Sequence, residues 1–152
     1  MKIGDVIWKK LQYNPDERGC LTAIEGEQHV PFSINRIFYM HDVVPGAGRG
    51  GHAHRDTDQL AVAVHGSMKI VVSDGQEARV VVLDHPGWGI YLPRLTWTSL
   101  TDFSAGAVCL VLASTHYDRS KSIRTWPEYL QERGISSRPE FQAGAMLLHP
   151  TT

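Results

Sequence analysis

The sequence predicts an all-β protein, an antiparallel sandwich or barrel of short strands. Short apolar or alternating segments recur along most of the chain. Turn-forming residues separate these segments at intervals of about 8–12 residues, the usual spacing in such folds. Asp74-Gly75 stands between two of the apolar segments and is a strong hairpin signal. Together these observations favour a single antiparallel domain.

The predicted strands alternate with breaks that Gly and Pro introduce. Residues 14–19 are expected to form a loop after the first strand, and Pro45-Gly46-Ala47-Gly48 to end the aromatic, alternating third strand. Gly66 separates two nearly continuous apolar strands, and residues 84–87 form a further turn. The strands are expected over residues 3–8, 20–25, 36–41, 59–65, 67–72, 77–83, 90–93, 97–100 and 107–114.

The character of the chain changes after Ser114. Pro127 is placed to begin a helix and Gly134 to stop it, so one short helix is predicted over residues 126–133. We expect one domain over residues 1–134. Residues 135–152 form a C-terminal tail with little periodicity, which is an arm, a partner contact or a disordered end.

Composition restricts the partners and the compartment. With 152 residues, 42% of them hydrophobic, the chain can bury a real core. The net charge of -1 gives no field that favours nucleic acid or an anionic membrane, and no apolar run is long enough to span a bilayer. Cys20 and Cys109 cannot form a disulfide framework; we expect buried free thiols and a cytoplasmic protein.

The central motif is Arg49-Gly50-Gly51-His52-Ala53-His54, followed by Gln59. Its spacing resembles the first cupin motif, with Gln59 where that motif has glutamate. The second cupin motif is only partly present. Gly87 and Pro93 occupy its first glycine and its proline, but Leu95 stands in place of its second glycine and Thr98 in place of its histidine. The expected fold is therefore a cupin-like jelly roll with a short C-terminal helix.

Two of the four metal ligands expected in a cupin are missing. A divalent transition metal requires three or four good donors, and Gln59 and Thr98 are poor ones. We therefore expect no metal and no cofactor. His52 and His54, at i and i+2 of a strand, lie on one face and can exchange protons near neutral pH.

Several further stretches make the likeness more specific. The chain resembles the nucleotide-sugar 3,4-ketoisomerases, the WxcM-like enzymes acting on dTDP-4-keto-6-deoxyglucose, over roughly residues 6–130. The tail beyond Arg133 lies outside the resemblance. Besides the histidine motif, the matching stretches are Asp16-Glu17-Arg18-Gly19, Arg36-Ile37-Phe38-Tyr39, Gly89-Ile90-Tyr91, Trp97, Asp102-Phe103-Ser104, Val111-Leu112-Ala113-Ser114, Tyr117-Asp118 and Ile123-Arg124.

The resemblance implies a metal-free jelly roll that forms a homodimer by exchange of an N-terminal strand. It implies a dTDP-linked keto sugar as substrate, on a route to deoxyaminosugars. Moving the ketone from C4 to C3 requires removal of the C3 proton, an enediol or enediolate, and reprotonation at C4. His52 is expected to be the base at C3 and His54 the second proton-transfer or orienting group. Tyr39 is expected to bind a sugar oxygen or carry a proton.

Substrate-binding roles are expected for five further residues. Arg49 and Arg36 are candidates for the pyrophosphate, because a guanidinium forms paired hydrogen bonds with phosphate oxygens. Trp97, Tyr91 and Gln59 are possible partners of thymine, with core packing as the alternative for Trp97.

Three other functions remain open at this point. A sugar-nucleotide binding module would keep Arg49 without catalysis. A metal-dependent cupin would need His52 as a ligand. A related epimerase of dTDP-keto sugars would use a histidine base with a tyrosine acid, but the paired histidines favour the ketoisomerases. Because a protonated histidine cannot act as a base, activity is expected to fall as the pH drops below about 6.

Overall fold

The computed structural model describes residues 1–140 and 145–150. Its strands are β1 (Ile7–Lys10), β2 (Gln12–Asp16), β3 (Gly19–Ala23), β4 (Arg36–Met40), β5 (Arg49–His54), β6 (Gln59–His65), β7 (Met68–Ser73), β8 (Ala78–Leu83), β9 (Trp88–Leu92), β10 (Trp97–Thr101), β11 (Val108–Ala113), β12 (Ser122–Ile123) and β13 (Met146–Leu147). One α-helix, α1, spans Trp126–Arg133.

Two large sheets form the body of the protein. One has the order β1-β9-β6-β11-β4 and the other the order β12-β5-β10-β7-β8-β13. All pairings in them are antiparallel except that of β13 with β8. Inward side chains of both sheets, such as Ile70, Val81 and Ile90, are fully buried in one core. The predicted all-β antiparallel jelly roll with a short C-terminal helix is confirmed.

The turn between β7 and β8 shows how local sequence fixes the pairing. The Asp74 side chain accepts hydrogen bonds from the backbone N–H groups of Gln76 and Glu77, at 2.8 and 2.7 Å. Gly75 adopts a φ of +96°, which suits glycine. The hairpin predicted from Asp74-Gly75 is therefore present.

The N-terminal part differs from the prediction. Residues Ile3–Asp5 form a 3-10 helix, so the first strand begins only at Ile7. The predicted loop at 14–19 is a hairpin instead, since β2 and β3 pair from Gln12 to Ala23 as a separate two-stranded sheet. Cys20 is exposed because this hairpin lies outside the two large sheets, whereas Cys109 is buried as expected.

Helix α1 forms where the sequence predicts it. Thr125 accepts a hydrogen bond from the backbone N–H of Glu128 at 3.4 Å, Pro127 lies in the first turn, and Gly134 ends the helix at a φ of +68°. The helix packs against the second sheet through an aromatic cluster of Trp97, Trp126 and Tyr129. In the part of the chain that the structure describes, no helix is long and apolar enough to cross a membrane.

The tail packs back onto the rest of the protein on both sides of the undescribed residues. Trp126 Nε1 donates to the carbonyl of Arg138 at 2.7 Å. Further on, β13 pairs with β8, and Trp8 Nε1 donates to the carbonyl of Leu148 at 3.0 Å. Residues 141–144, 151 and 152 of the predicted tail lie outside the described residues.

Candidate active site

Two connected spaces open between β4 and β5. The inner one, about 60 Å³, lies between the sheets and is lined by His52, His54 and Gln59 together with apolar side chains such as Phe38. The outer one is a cleft of about 1030 Å³. His52 and Phe38 line both spaces, so they mark the junction between them.

The two histidines lie next to each other because β5 is a strand. Side chains at i and i+2 leave the same face, and their ring centroids are 4.8 Å apart at an interplanar angle of 84°. His52 is opposite Thr98 of β10, and His54 is opposite Ser122 of β12. Ser122 Oγ is 3.5 Å from His54 Nδ1. Neighbouring strands on both sides thus fix the orientation of the pair.

Burial and nearby positive charge keep both imidazoles neutral. The pKa of His54 is lowered to about 4, first by burial and then by His52, Arg36 and Arg124, with Asp56 opposing the shift. The pKa of His52 is also lowered, mainly by burial and further by Arg124, although a hydrogen bond with the Gly50 backbone opposes this. A neutral imidazole can accept a proton, so both groups are ready to act as bases at pH 7.

Backbone geometry at the start of β5 depends on two glycines. Gly50 and Gly51 have φ values of +90° and +76° and line the outer cleft. A Cβ at Gly50 would lie 2.7 Å from the carbonyl oxygen of Thr98, whereas one at Gly51 would meet no atom within 4 Å. Only Gly50 is therefore required both for its φ and for close contact with β10.

This difference gives a paired test of the strand geometry. Gly51→Ala should lower the free energy of unfolding by about 1–3 kcal/mol, the usual cost of a left-handed non-glycine residue. Gly50→Ala should lower it further because it adds the clash with Thr98. Urea unfolding of both variants measures the two costs. Equal costs would contradict the close approach of β5 to β10.

Arg36 faces inward at the other end of β4. Its guanidinium carbon lies 5.2 Å from the ring centroid of Phe38 and 5.4 Å from that of Tyr117. Its Nε is buried and has no hydrogen-bond partner among the described residues. Burial lowers the pKa of Arg36. Among the described residues Arg36 lines neither of the two spaces, and its positive charge lowers the pKa of His54.

Of the other residues predicted for the site, some line the cleft and others lie away from it. Arg49 lines the outer cleft, and Tyr39 lies at its rim with 61% of its surface exposed. Strand alternation turns Phe38, not Tyr39, toward the histidines. Among the described residues, neither Trp97 nor Tyr91 lines either space. Trp97 is buried against α1. Tyr91 stacks on Phe32 on the other side of the first sheet, because its strand turns it away from the space between the sheets.

Phe38, Arg124 and Glu140 line the outer cleft, although sequence reasoning gave them no role in the site. Arg124 follows β12 and lies near enough for its charge to lower the pKa of both histidines. The alternation of Arg36, Phe38 and Met40 could have pointed to Phe38 as an inward residue. No pattern in the sequence indicates that Glu140, in the tail, lines the cleft.

Gln59 lies near the histidines, at the position where the cupin motif has a glutamate. It is buried and lines the inner space. No three His, Cys, Asp or Glu side chains within residues 1–140 and 145–150 form a group that could hold a metal ion. The donors near the histidines are thus amide and hydroxyl groups.

Comparisons with known proteins identify the family of this chain. The family described as WxcM-like, C-terminal (FdtA) matches residues 4–134. TDP-4-oxo-6-deoxy-alpha-D-glucose-3,4-oxoisomerase from Aneurinibacillus thermoaerophilus is 38% identical over 114 residues, which are 75% of this chain and 82% of the relative.

Two solved structures of one enzyme are similar throughout. A sugar 3,4-ketoisomerase from Thermoanaerobacterium thermosaccharolyticum, in complex with TDP, has a TM-score of 0.85 and 35% identity, covering 87% of this chain and 96% of that one. A mutant of that enzyme with asparagine in place of a histidine, in complex with TDP-4-keto-6-deoxyglucose, has a TM-score of 0.82 and 35% identity, covering 84% and 93%. This chain belongs to the WxcM-like FdtA family.

Proposed function

We propose that this protein is a 3,4-ketoisomerase that moves the keto group of a dTDP-linked 4-keto-6-deoxyhexose from C4 to C3, in the biosynthesis of a deoxyaminosugar. The observation that carries the proposal is the pair of neutral, adjacent imidazoles at the junction of the inner space and the cleft. Family membership supports the choice of substrate class.

The proposed mechanism uses each histidine once. His52, at the junction, removes the C3 proton, and the electron pair forms the C3–C4 double bond while the C4 oxygen becomes negative. The proton that His52 took passes to the adjacent His54, which gives it to C4. The proton of the C3 hydroxyl moves to the C4 oxygen, so C3 becomes the ketone, C4 carries a hydroxyl and both imidazoles end neutral. Arg36, positively charged beside His54, favours the anionic intermediate electrostatically.

The charged residues of the cleft suit the rest of the substrate. Arg49 and Arg124 both line the cleft and supply cations for the diphosphate. Gln59 faces the inner space and can hydrogen-bond a sugar oxygen. Tyr39 lies at the rim, where its hydroxyl can reach the ligand only from the mouth of the cleft. We do not include Trp97 and Tyr91 in the proposed site.

A proton NMR time course in D2O tests the reaction. Mixed with dTDP-4-keto-6-deoxyglucose, the protein should remove the C3 proton signal and produce a 3-keto sugar nucleotide with deuterium at C4. In a parallel reaction in H2O, where C4 receives a proton, the coupling between the C4 and C5 protons gives the configuration of the product. Deuterium at C5 without ketone migration would indicate an epimerase, and an unchanged spectrum would refute the proposed reaction.

The exposed apolar face of the first sheet supports a homodimer with N-terminal strand exchange. β4 is an edge strand of that sheet, and its outward residues Ile37 and Tyr39 are 60% and 61% exposed. Leu21 on the separate β2–β3 hairpin is 64% exposed. An edge strand with apolar outward residues is a template for pairing with another chain. We propose that the N-terminal strands of a second copy cover this face.

Substitution at the edge strand tests the dimer. Ile37→Asp should convert the dimer to a monomer, because a carboxylate would be buried without a partner in the interface. Light scattering after size-exclusion chromatography measures the mass. Val44→Asp, at an equally exposed loop residue, is the matched control and should remain dimeric. A dimeric Ile37→Asp variant would contradict this interface.

The cysteines support a cytoplasmic location. Both Cys20 and Cys109 are free thiols. Burial raises the pKa of Cys109 to about 12, so it is protected from oxidation, whereas Cys20 is exposed. An exposed free thiol is typical of a reducing compartment, and we infer the cytoplasm.

A further inference from the structure

The C-terminal segment supplies a carboxylate to the cleft. Glu140 lines the same space as His52, Arg49 and Arg124. The family match ends at residue 134, so this side chain comes from a segment that lies beyond the matched domain. The cleft of this chain therefore contains a charged group that the matched part alone does not provide.

Glu140 is held in a defined position. Its Oε1 accepts a hydrogen bond of 2.7 Å from Nε1 of the buried Trp97. The preceding residues are fixed as well, because Trp126 Nε1 donates to the carbonyl of Arg138 at 2.7 Å and Ile135 packs into the same aromatic cluster. Two indole donors thus attach the segment to the sheet, and the second carboxylate oxygen has no hydrogen-bond partner among the described residues.

The position in the cleft indicates which part of a ligand Glu140 can meet. Trp97 is next to Thr98 on β10, and Thr98 is opposite His52, but the two β10 side chains leave opposite faces. Glu140 therefore lies on the outer side, beside Ser99 and Val71, which are directly opposite each other and also line the cleft. A ligand that places its reacting carbons at His52 and continues along the cleft passes this wall.

Charge selects the group that Glu140 binds. A carboxylate repels phosphate, and the two cleft arginines, Arg49 and Arg124, already provide cations for a diphosphate. An ionised carboxylate instead accepts strong hydrogen bonds from neutral donors. In a dTDP-linked sugar these are the hydroxyls of the hexose, the 3′-hydroxyl of the deoxyribose and the imide N–H of thymine.

We propose that Glu140 is a specificity residue that accepts a hydrogen bond from a neutral O–H or N–H donor of the nucleotide sugar. The inference rests on the proposed function and adds the C-terminal segment to the binding site. It predicts that removing the charge at Glu140 weakens binding without slowing the proton transfers, which take place at His52 and His54.

Glu140→Gln tests the inference with little change in shape. The Gln side chain keeps an oxygen for Trp97 but presents an amide N–H₂ where the second oxygen was, so a ligand donor loses its acceptor. The KM for the keto sugar should rise about tenfold, as expected for the loss of one hydrogen bond to a charged group, while kcat changes less than about twofold. The melting temperature should stay the same. Glu132→Gln, which removes the same charge outside the cleft lining, is the control.

Calorimetric binding of dTDP and dTDP-glucose, neither of which carries the 4-ketone, locates the donor. If Glu140→Gln binds both dTDP and dTDP-glucose more weakly than the wild type, the hydrogen-bond donor lies on the nucleoside. If it binds only dTDP-glucose more weakly, the donor lies on the hexose. If the variant binds both as tightly as the wild type and keeps its KM, the inference is wrong and Glu140 only fastens the segment. If the wild-type chain binds neither ligand, the proposed function fails and the inference with it.

Discussion

Replacing His52 with asparagine should reduce ketone migration by a factor of about 10²–10⁴, the usual contribution of a general base. Asparagine has nearly the size and hydrogen-bonding capacity of the imidazole but cannot take up the C3 proton. The same NMR time course in D2O measures this loss, and exchange of the C3 proton should fall in parallel. Binding of dTDP should persist, because Arg49 and Arg124 remain in the cleft.

Two companion variants make this prediction specific. His65→Asn, at an exposed histidine outside the lining of both spaces, should keep full activity. His54→Asn should retain exchange at C3 but lose the 3-keto product, because the proton for C4 is then missing. A folded His52→Asn variant with more than about a tenth of the activity would show that His52 is not the base. Lost exchange in His54→Asn together with normal exchange in His52→Asn would reverse the two roles.

The activity should also persist at a pH well below the ordinary histidine range. A base with a pKa of about 6.5 would lose about thirtyfold of its neutral form at pH 5. The pKa of His54 is lowered to about 4, mainly by burial, and that of His52 is lowered as well. Since a histidine acts as a base only when neutral, a lowered pKa moves the acid limb to lower pH. We therefore expect kcat/KM at pH 5 to fall less than thirtyfold, with the acid limb at a lower pH than an ordinary histidine would give.

Arg124 provides the matching variant for the pH profile. Its positive charge lowers the pKa of both histidines, so Arg124→Gln should raise both values and move the acid limb of kcat/KM toward higher pH. Arg79→Gln should leave the limb unchanged, because this guanidinium lies on β8 and pairs with Glu77 in the turn before that strand. If Arg124→Gln also weakens substrate binding, this lowers kcat/KM at every pH and does not change the pH at which the acid limb lies. A wild-type limb near 6.5, or one that does not move in Arg124→Gln, would contradict the electrostatic origin of the shift.

Some parts of the site could be predicted from the sequence because they depend on local rules. The i, i+2 spacing of His52 and His54 alone puts them on one face, and the structure places their rings together. Tyr39 shows a limit, because the same alternation turns Phe38 inward and leaves Tyr39 at the rim. Which of the two neighbouring aromatic residues of β4 points inward depends on which face of the sheet is buried. Two adjacent aromatic residues in the sequence do not show which face that is.

Other parts depend on contacts between residues that are distant in the chain. Trp97 is a large aromatic residue that the sequence suggested as a ligand contact. In the folded chain, helix α1 covers the face of the sheet on which Trp97 lies, so Trp97 is part of a hydrophobic core. Arg124 and Glu140 enter the cleft from segments after the last long strand. Nothing in the local pattern of those segments indicates where they return, so only the folded chain brings them to the histidines.

The pairing of β5 determines when during folding the histidines acquire their final geometry. His52 is opposite Thr98, and His54 is opposite Ser122, 68 positions further along the chain. Closing such distant loops costs chain entropy before any contact compensates for it, and folds rich in such pairings form slowly. A ribosome-bound chain that stops before Ser122 lacks the residues that pair with His54. The histidine geometry on which the proposed catalysis depends is therefore completed late in synthesis, after the residues of β12 have emerged.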